Sequence, residues 1–238
     1  MRKIISLAHR ELQAQFFSPT AYVVGALTLL GMGLWFFAEI FIPGGEASLR
    51  PLFDGMAYIM IVSIPLLTMR LISEELHSGT AAVLLTAPVT ATQVVLGKFF
   101  GMLAFYLILL ATTGVYLVLM LIWGEPDAGI VAMGYVGMIL LGAAFVAVGL
   151  FASTLTRYQL VAALVGSAIL AVSCLLTEVL VVSAPAPVDM VAARLNAITY
   201  FRDFSRGVLD SRGLVFFLSV TALFLYLSVQ TLESRRWR

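Results

Sequence analysis

Five long stretches of this chain carry no charged side chain: residues 12–38, 99–124, 128–156, 158–177 and 213–232. A helix needs about 20 apolar residues to cross the hydrocarbon core of a bilayer, and each run reaches that length. No water is available there to bond the backbone, so such runs must fold as helices that satisfy their own N–H and C=O groups. A sixth run, 55–69, lies between Asp54 and Arg70, is shorter, and contains Pro65. Neighbouring helices can satisfy the group that a proline frees, so it too counts as a span. Helices are therefore expected near 19–41, 53–72, 96–123, 129–152, 158–183 and 212–232. The fold class that follows is an all-α membrane protein with six transmembrane helices in one domain over residues 1–238. Composition agrees, because charged residues make up 11% of the chain where a soluble domain carries about 25%.

The same composition excludes other classes. A net charge of +1 gives no basic balance for nucleic acid. Cys174 is the single cysteine and forms no internal disulfide, and His9 and His77 lie far apart in polar segments. No HExxH or GxSxG pattern is present, so neither a metal site nor a nucleophile is expected. A phosphate-binding loop needs G-x-x-x-x-G-K-[ST]. Around Gly97-Lys98, Thr92 stands where the first glycine belongs and Phe99 where Ser or Thr belongs. ATP chemistry is not expected in this chain, and the reading is that it is not an enzyme.

Six spans put both termini on one side. Arg2, Lys3, Arg10, Arg70, Lys98, Arg157, Arg235, Arg236 and Arg238 share that side, against Arg50, Arg194, Arg202, Arg206 and Arg212 on the other. The bias of bases toward the cytoplasm predicts cytoplasmic termini. Residues 1–18 do not read as a cleavable signal peptide, since the apolar stretch before Glu11 is short and no small-residue cleavage site follows it. Ile4, Ile5, Ala8, Leu12 and Phe16 share a helical face, with Arg2, Lys3, His9, Arg10 and Gln13 around the rest. The pattern fits a helix in the headgroup plane or a plain cytoplasmic extension of the first span, which Pro19 opens.

The stretch 70–98, RLISEELHSGTAAVLLTAPVTATQVVLGK, is the sizeable polar insertion between spans. Arg70 ends the second span as a snorkelling base. Glu74, Glu75 and His77 follow. Ser78-Gly79-Thr80 suits a helix stop and a new cap. A short helix over Ala81–Ala87 ends at Pro88, and Thr90 to Gln93 has capping-box spacing for the third span. Val83, Leu84 and Leu85 are more apolar than a solvated loop requires, so this helix either enters a groove on a soluble partner or packs back on the bundle or bilayer.

Small residues recur four apart at Gly97/Gly101, Ala162/Gly166 and Ala163/Ser167, and Gly134, Gly137, Gly142 and Gly149 lie in the fourth span. They serve a helix dimer or packing within the bundle. Glu178, an acid near the outer end of the fifth span, reads as a hydrogen-bonding group at the outer mouth of a pathway or as a relay acid. In the loop 184–212, Phe201, Phe204 and Val208 recur at i, i+3 and i+7, with Arg202, Asp203, Arg206 and Asp210 opposite and Arg206/Asp210 at ion-pair spacing. They predict a short amphipathic helix, lying at the outer surface or partly re-entrant, which with a turn or two over VDMVAARL makes a short external helical hairpin before the sixth span. The tail ESRRWR is a basic-aromatic anchor or a plain stop-transfer flank.

Glu74-Glu75, Gly79-Thr80, Leu84-Leu85, Pro88-Val89 and Gly97-Lys98 together resemble the loop between the second and third helices of ABC type-2 permeases. The resemblance is strongest to the branch with the gliding-motility-associated permease and the copper-site maturation permease of nitrous oxide reductase. A second match is YFRDFSRGVLDSRG, residues 200–213. The resemblance implies the permease subunit of an ATP-driven exporter in a bacterial plasma membrane, two permeases forming the pathway above two ABC ATP-binding subunits that hold the ATP and Mg. Glu74, Glu75, Gly79, Thr80, Leu84, Leu85 and Pro88 would contact the ATPase through a cytoplasmic coupling helix. Arg2, Lys3 and Arg10 would belong to an interfacial helix that moves with it. Glu178, Phe201, Phe204 and Arg206 would close the outer end of the pathway. Two other functions fit the same residues: a scaffold that recruits an ATPase without moving cargo, and a channel or secondary transporter working without ATP. Against the latter stand the lack of an inverted repeat and of ionisable membrane residues beyond Glu178.

Overall fold

A computed structural model of the chain describes residues 2–40, 49–79, 90–123, 127–183 and 188–236. Every regular element among them is helical. Six helices are long and apolar enough to cross a membrane: Pro19–Glu39, Arg50–His77, Ala91–Ile122, Ala128–Leu155, Gln159–Ser183 and Ser211–Arg235. They are called the first to sixth spans. An N-terminal helix, Arg2–Phe16, precedes them, and two short helices, Val188–Leu195 and Ala197–Ser205, lie before the sixth.

Spans two and three exceed their expected limits of 53–72 and 96–123. The second runs on to His77, through Pro65 and a slight irregularity at Met69, and the third starts at Ala91. Most of the expected loop 70–98 is thus helix at both ends. Charge did not stop these helices because the charges are partnered: Arg70 donates to Gln159 Oε1 at 3.1 Å and Ser18 Oγ at 3.0 Å. The stops fall where the backbone demands them. Gly79 has φ +73°, the left-handed turn that ends helices. Thr90 and Gln93 complete both halves of a capping box.

The fourth span is the post. It packs against spans two, three, five and six and against the Ala197–Ser205 helix, and its most apolar window is 72% buried against 17% for the sixth. Its glycines make that possible. The Tyr106 ring lies against Gly142, and its hydroxyl donates to the Met138 carbonyl at 2.7 Å. Thr68 lies against Gly149, and Gly166 of the fifth span against Pro65. These small residues serve packing within the bundle.

The fifth span contains a π segment, Val172–Leu176. Ser173 donates to the Leu170 carbonyl at 3.0 Å, and Thr177 to the Ser173 carbonyl at 2.7 Å and the Cys174 carbonyl at 3.2 Å. Hydroxyls that compete for helix carbonyls fit a wide turn at this place.

Candidate functional site

Two polar joints sit at opposite ends of the bundle. At the end that carries the N-terminal helix, Gly97 and Gly101 of the third span form a seat for that helix. A Cβ on Gly97 would stand 2.5 Å from Leu7 Cβ, and one on Gly101 2.7 Å from the Ala8 carbonyl oxygen. The GxxxG spacing therefore docks the chain's own first helix. The docked face differs from the expected one: Ile5 is 68% exposed and Phe16 sits at the edge, its ring 5.4 Å from Phe105, whereas Gln15 is buried and Glu11 turns inward. Close backbone approach at the two glycines rotates the expected face, so that Ala8 and Leu12 stay turned to the bundle, Glu11 joins them and Ile5 is left outside.

Glu11 reaches Lys98, one residue past Gly97. Lys98 is only 5% exposed, and its Nζ lies 3.1 Å from Glu11 Oε2 and 2.9 Å from Glu75 Oε1. One ammonium thus joins the N-terminal helix, the end of the second span and the start of the third. A buried lysine is tolerated only when paired in this way. Beside it opens a polar cavity of about 420 Å³, lined by Arg10, Arg70, Glu74 and the three paired residues among others.

Among the expected coupling residues, Glu75 enters this clamp. Glu74 points outward, its side chain 57% exposed and 4.0 Å from Arg70. Gly79 sits at the helix stop, and among the described residues nothing lies within 4 Å of where a Cβ would go. Thr80, Leu84, Leu85 and Pro88, and with them the expected helix over 81–87, lie outside the described residues. So does the side chain of Arg2, while Lys3 and Arg10 are exposed on the N-terminal helix. Sequence reasoning placed Lys98 at a membrane interface and missed its two acids. The available signal was an acid, Glu11, interrupting an apolar helical face.

At the other end Glu178 accepts from Arg202 Nη2 at 2.6 Å and from the Tyr58 hydroxyl at 2.8 Å, and Arg202 also donates to Tyr58 at 3.1 Å. Span two, span five and the Ala197–Ser205 helix meet there. Burial works against the charge on Arg202, but the bonded carboxylate outweighs it and holds the guanidinium pKa above its ordinary value. Asp54, one turn before Tyr58, keeps Oδ1 buried without a hydrogen-bond partner among the described residues. Phe201 and Phe204 share one face of that helix, as their spacing predicts, and both are fully buried and pack on Gly137 of the fourth span. The helix stops at Ser205, before Arg206, because Gly207 takes φ +83°. Val208 is 56% exposed, and Arg206 and Asp210 form no ion pair among the described residues. Arg202, rather than Arg206, is the base that bonds Glu178.

Among the described residues no cluster of His, Cys, Asp and Glu could hold a metal ion. The arrangement is that of a multi-pass helical membrane protein with a charged joint at each end of the bundle. A family model described as ABC-2 family transporter protein matches residues 5–233, and the chain belongs to that family. It is accordingly the membrane permease component of an ABC transporter, a class that works with an ABC ATP-binding subunit and is not itself catalytic. No individual curated protein matches the chain significantly.

Proposed function

We propose that this chain is the permease subunit of an ATP-driven exporter in a bacterial plasma membrane, with both termini cytoplasmic, and that two permeases form the pathway above two ATPase subunits. The loop resemblance is the support for assigning it to the gliding-motility and nitrous-oxide-reductase-maturation branch. The observation that carries the reading is the clamp on Lys98. Glu75 and Lys98 stand at the two helix ends that flank the connection 78–90, and Glu11 ties the N-terminal helix to the same ammonium. A push on the connection is transmitted to three helices at once through a partnered buried charge. The exposed Glu74 and the Gly79 stop present the contact, and Thr80, Leu84, Leu85 and Pro88 complete it. At the outer end the Glu178–Arg202–Tyr58 cluster, backed by Phe201 and Phe204, closes the pathway and opens when the fifth span shifts.

The test is co-purification of the cognate ATPase with wild type and with Glu74→Arg, followed by ATP hydrolysis in nanodiscs. Glu74→Arg leaves the clamp intact, so loss of the ATPase from a folded permease supports the dock. Glu75→Gln should retain the ATPase but weaken the coupling of hydrolysis to transport. A well-folded wild type that binds no ATPase overturns the exporter reading.

A further inference from the structure

Spans five and six both pack on span four and make little contact with each other. Between them lies a cavity of about 570 Å³, within the ~300–1,000 Å³ range of small-ligand sites. Its floor is Phe145 and Val148 of the fourth span and Leu170 and Phe217 of its walls, all nearly inaccessible. Its rim is Val172 and Leu223, both about half exposed (53%). The slot therefore opens sideways, toward the membrane.

The lining is almost wholly apolar: among the described residues Ser173 and Thr177 are its only hydroxyl residues, and both hydroxyls bond helix carbonyls. Val172 and Ser173 belong to the π segment, so the irregular turn shapes one wall, and such turns recur at functional sites. A transmembrane helix, about 30 Å long and 10 Å across, is several times too large for the space. A single file of methylenes fits it.

The end of the slot nearest the short helices is marked by charge. Leu195 lines the cavity directly after Arg194, and Phe216 lines it one turn after Arg212. Both arginines are exposed, and neither forms an ion pair among the described residues. Two of the described acids in the region are engaged elsewhere: Glu178 with Arg202 and Tyr58, and Asp210 with the Arg212 backbone N–H at 2.9 Å.

We propose that this slot is a lipid site. One acyl chain of an anionic phospholipid lies between spans five and six, and its phosphate-bearing headgroup meets Arg194 and Arg212. The site requires the membrane orientation of the spans but not the ATPase dock, so loss of ATPase binding would leave it standing. Because it touches the π segment and the helix before Leu195, its occupancy bears on the same outer end that carries Glu178 and Arg202.

The experiment uses the full chain in nanodiscs doped with phosphatidylglycerol or phosphatidylcholine carrying the same mid-chain diazirine. Adducts are mapped by peptide mass spectrometry after irradiation. The expected result is labelling concentrated in 168–173 and 216–224, several-fold stronger with phosphatidylglycerol. Ala168→Trp, a change at an exposed lining position, should cut the labelling several-fold, with Leu223→Trp as the second plug if the first does not fold. Arg194→Gln/Arg212→Gln should bring phosphatidylglycerol down to the phosphatidylcholine level. Labelling spread over the lipid-facing residues of the first and third spans, and indifferent to either plug, means bulk lipid and overturns the site. So does a disulfide between two copies formed by Val172→Cys with Leu223→Cys, which would place a second copy in the slot.

Discussion

Lys98 Nζ stands 2.9 Å from Glu75 Oε1, across the mouth of the connection that joins the second and third spans. Their helices run in opposite directions and end near each other, so this bond fixes the separation of the two stems. Glu11 adds the N-terminal helix at 3.1 Å. Removing the ammonium leaves two largely buried carboxylates facing one another without a counter-charge. Lys98→Met is therefore expected to cost about 3–5 kcal/mol of stability, read as a fall in the denaturation midpoint of the purified protein. Glu75→Gln leaves the Glu11 pair and should cost less, about 1–3 kcal/mol. The two changes should be non-additive by about 0.5–3 kcal/mol in a double-mutant cycle. Additive effects would mean that the stems are not held through this contact.

The seat on the third span makes a second, steric prediction. A Cβ on Gly101 would press on the Ala8 carbonyl and on Glu11 Cβ, both at 2.7 Å, and backbone cannot rotate out of the way. Gly101→Leu should lift the N-terminal helix while the spans stay folded, at a cost of about 1–3 kcal/mol. A spin label on an engineered Ala8→Cys should become mobile in the variant. An unchanged spectrum would show that the helix is held elsewhere.

Much of the fold was legible because the bilayer imposes a simple rule. Uncharged runs of sufficient length located six spans, and the Gly79 stop and the Thr90–Gln93 capping box could be read from local chemistry. The site was less legible, because its key contacts join residues far apart in sequence. Lys98 read as a helix-end base, since nothing near it in sequence indicates that Glu11, 87 positions earlier, lies beside it. Arg202 was placed on the solvated side of a helix whose apolar stripe was traced too far. The i+7 position, Val208, falls beyond Gly207, where the chain has already left the helix. Periodicity identified Phe201 and Phe204 as partners on one face but could not reveal that Gly137 offers them a place inside the bundle.

The far joint can be tested by taking its members one at a time. Arg202→Gln removes the base from Glu178 and Tyr58 beside the Asp54 oxygen that has no partner among the described residues. A charge-assisted hydrogen bond contributes about 1.5–3 kcal/mol, discounted here because Arg202 and Glu178 are partly exposed, to the order of 1 kcal/mol. Tyr58→Phe should cost less, since Glu178 keeps Arg202. If the cluster closes the pathway, both variants should raise leak of a small solute from proteoliposomes, Arg202→Gln the more. Stability loss with no change in leak would make the cluster a structural brace only.

Gly79 isolates backbone conformation from packing. Its φ of +73° is costly for residues with a side chain, yet none of the described residues lies within 4 Å of where a Cβ would go. Gly79→Ala therefore meets only the left-handed penalty, about 1 kcal/mol, and Gly79→Asn, whose side chain tolerates that region, should lose less. The stop also sets the direction in which the chain leaves the second span toward Thr80. If that direction matters to the ATPase, Gly79→Ala should lower coupled hydrolysis more than its small effect on the denaturation midpoint would suggest, and Gly79→Asn should restore most of it. Equal, mild effects of the two on hydrolysis would confine Gly79 to ending the helix.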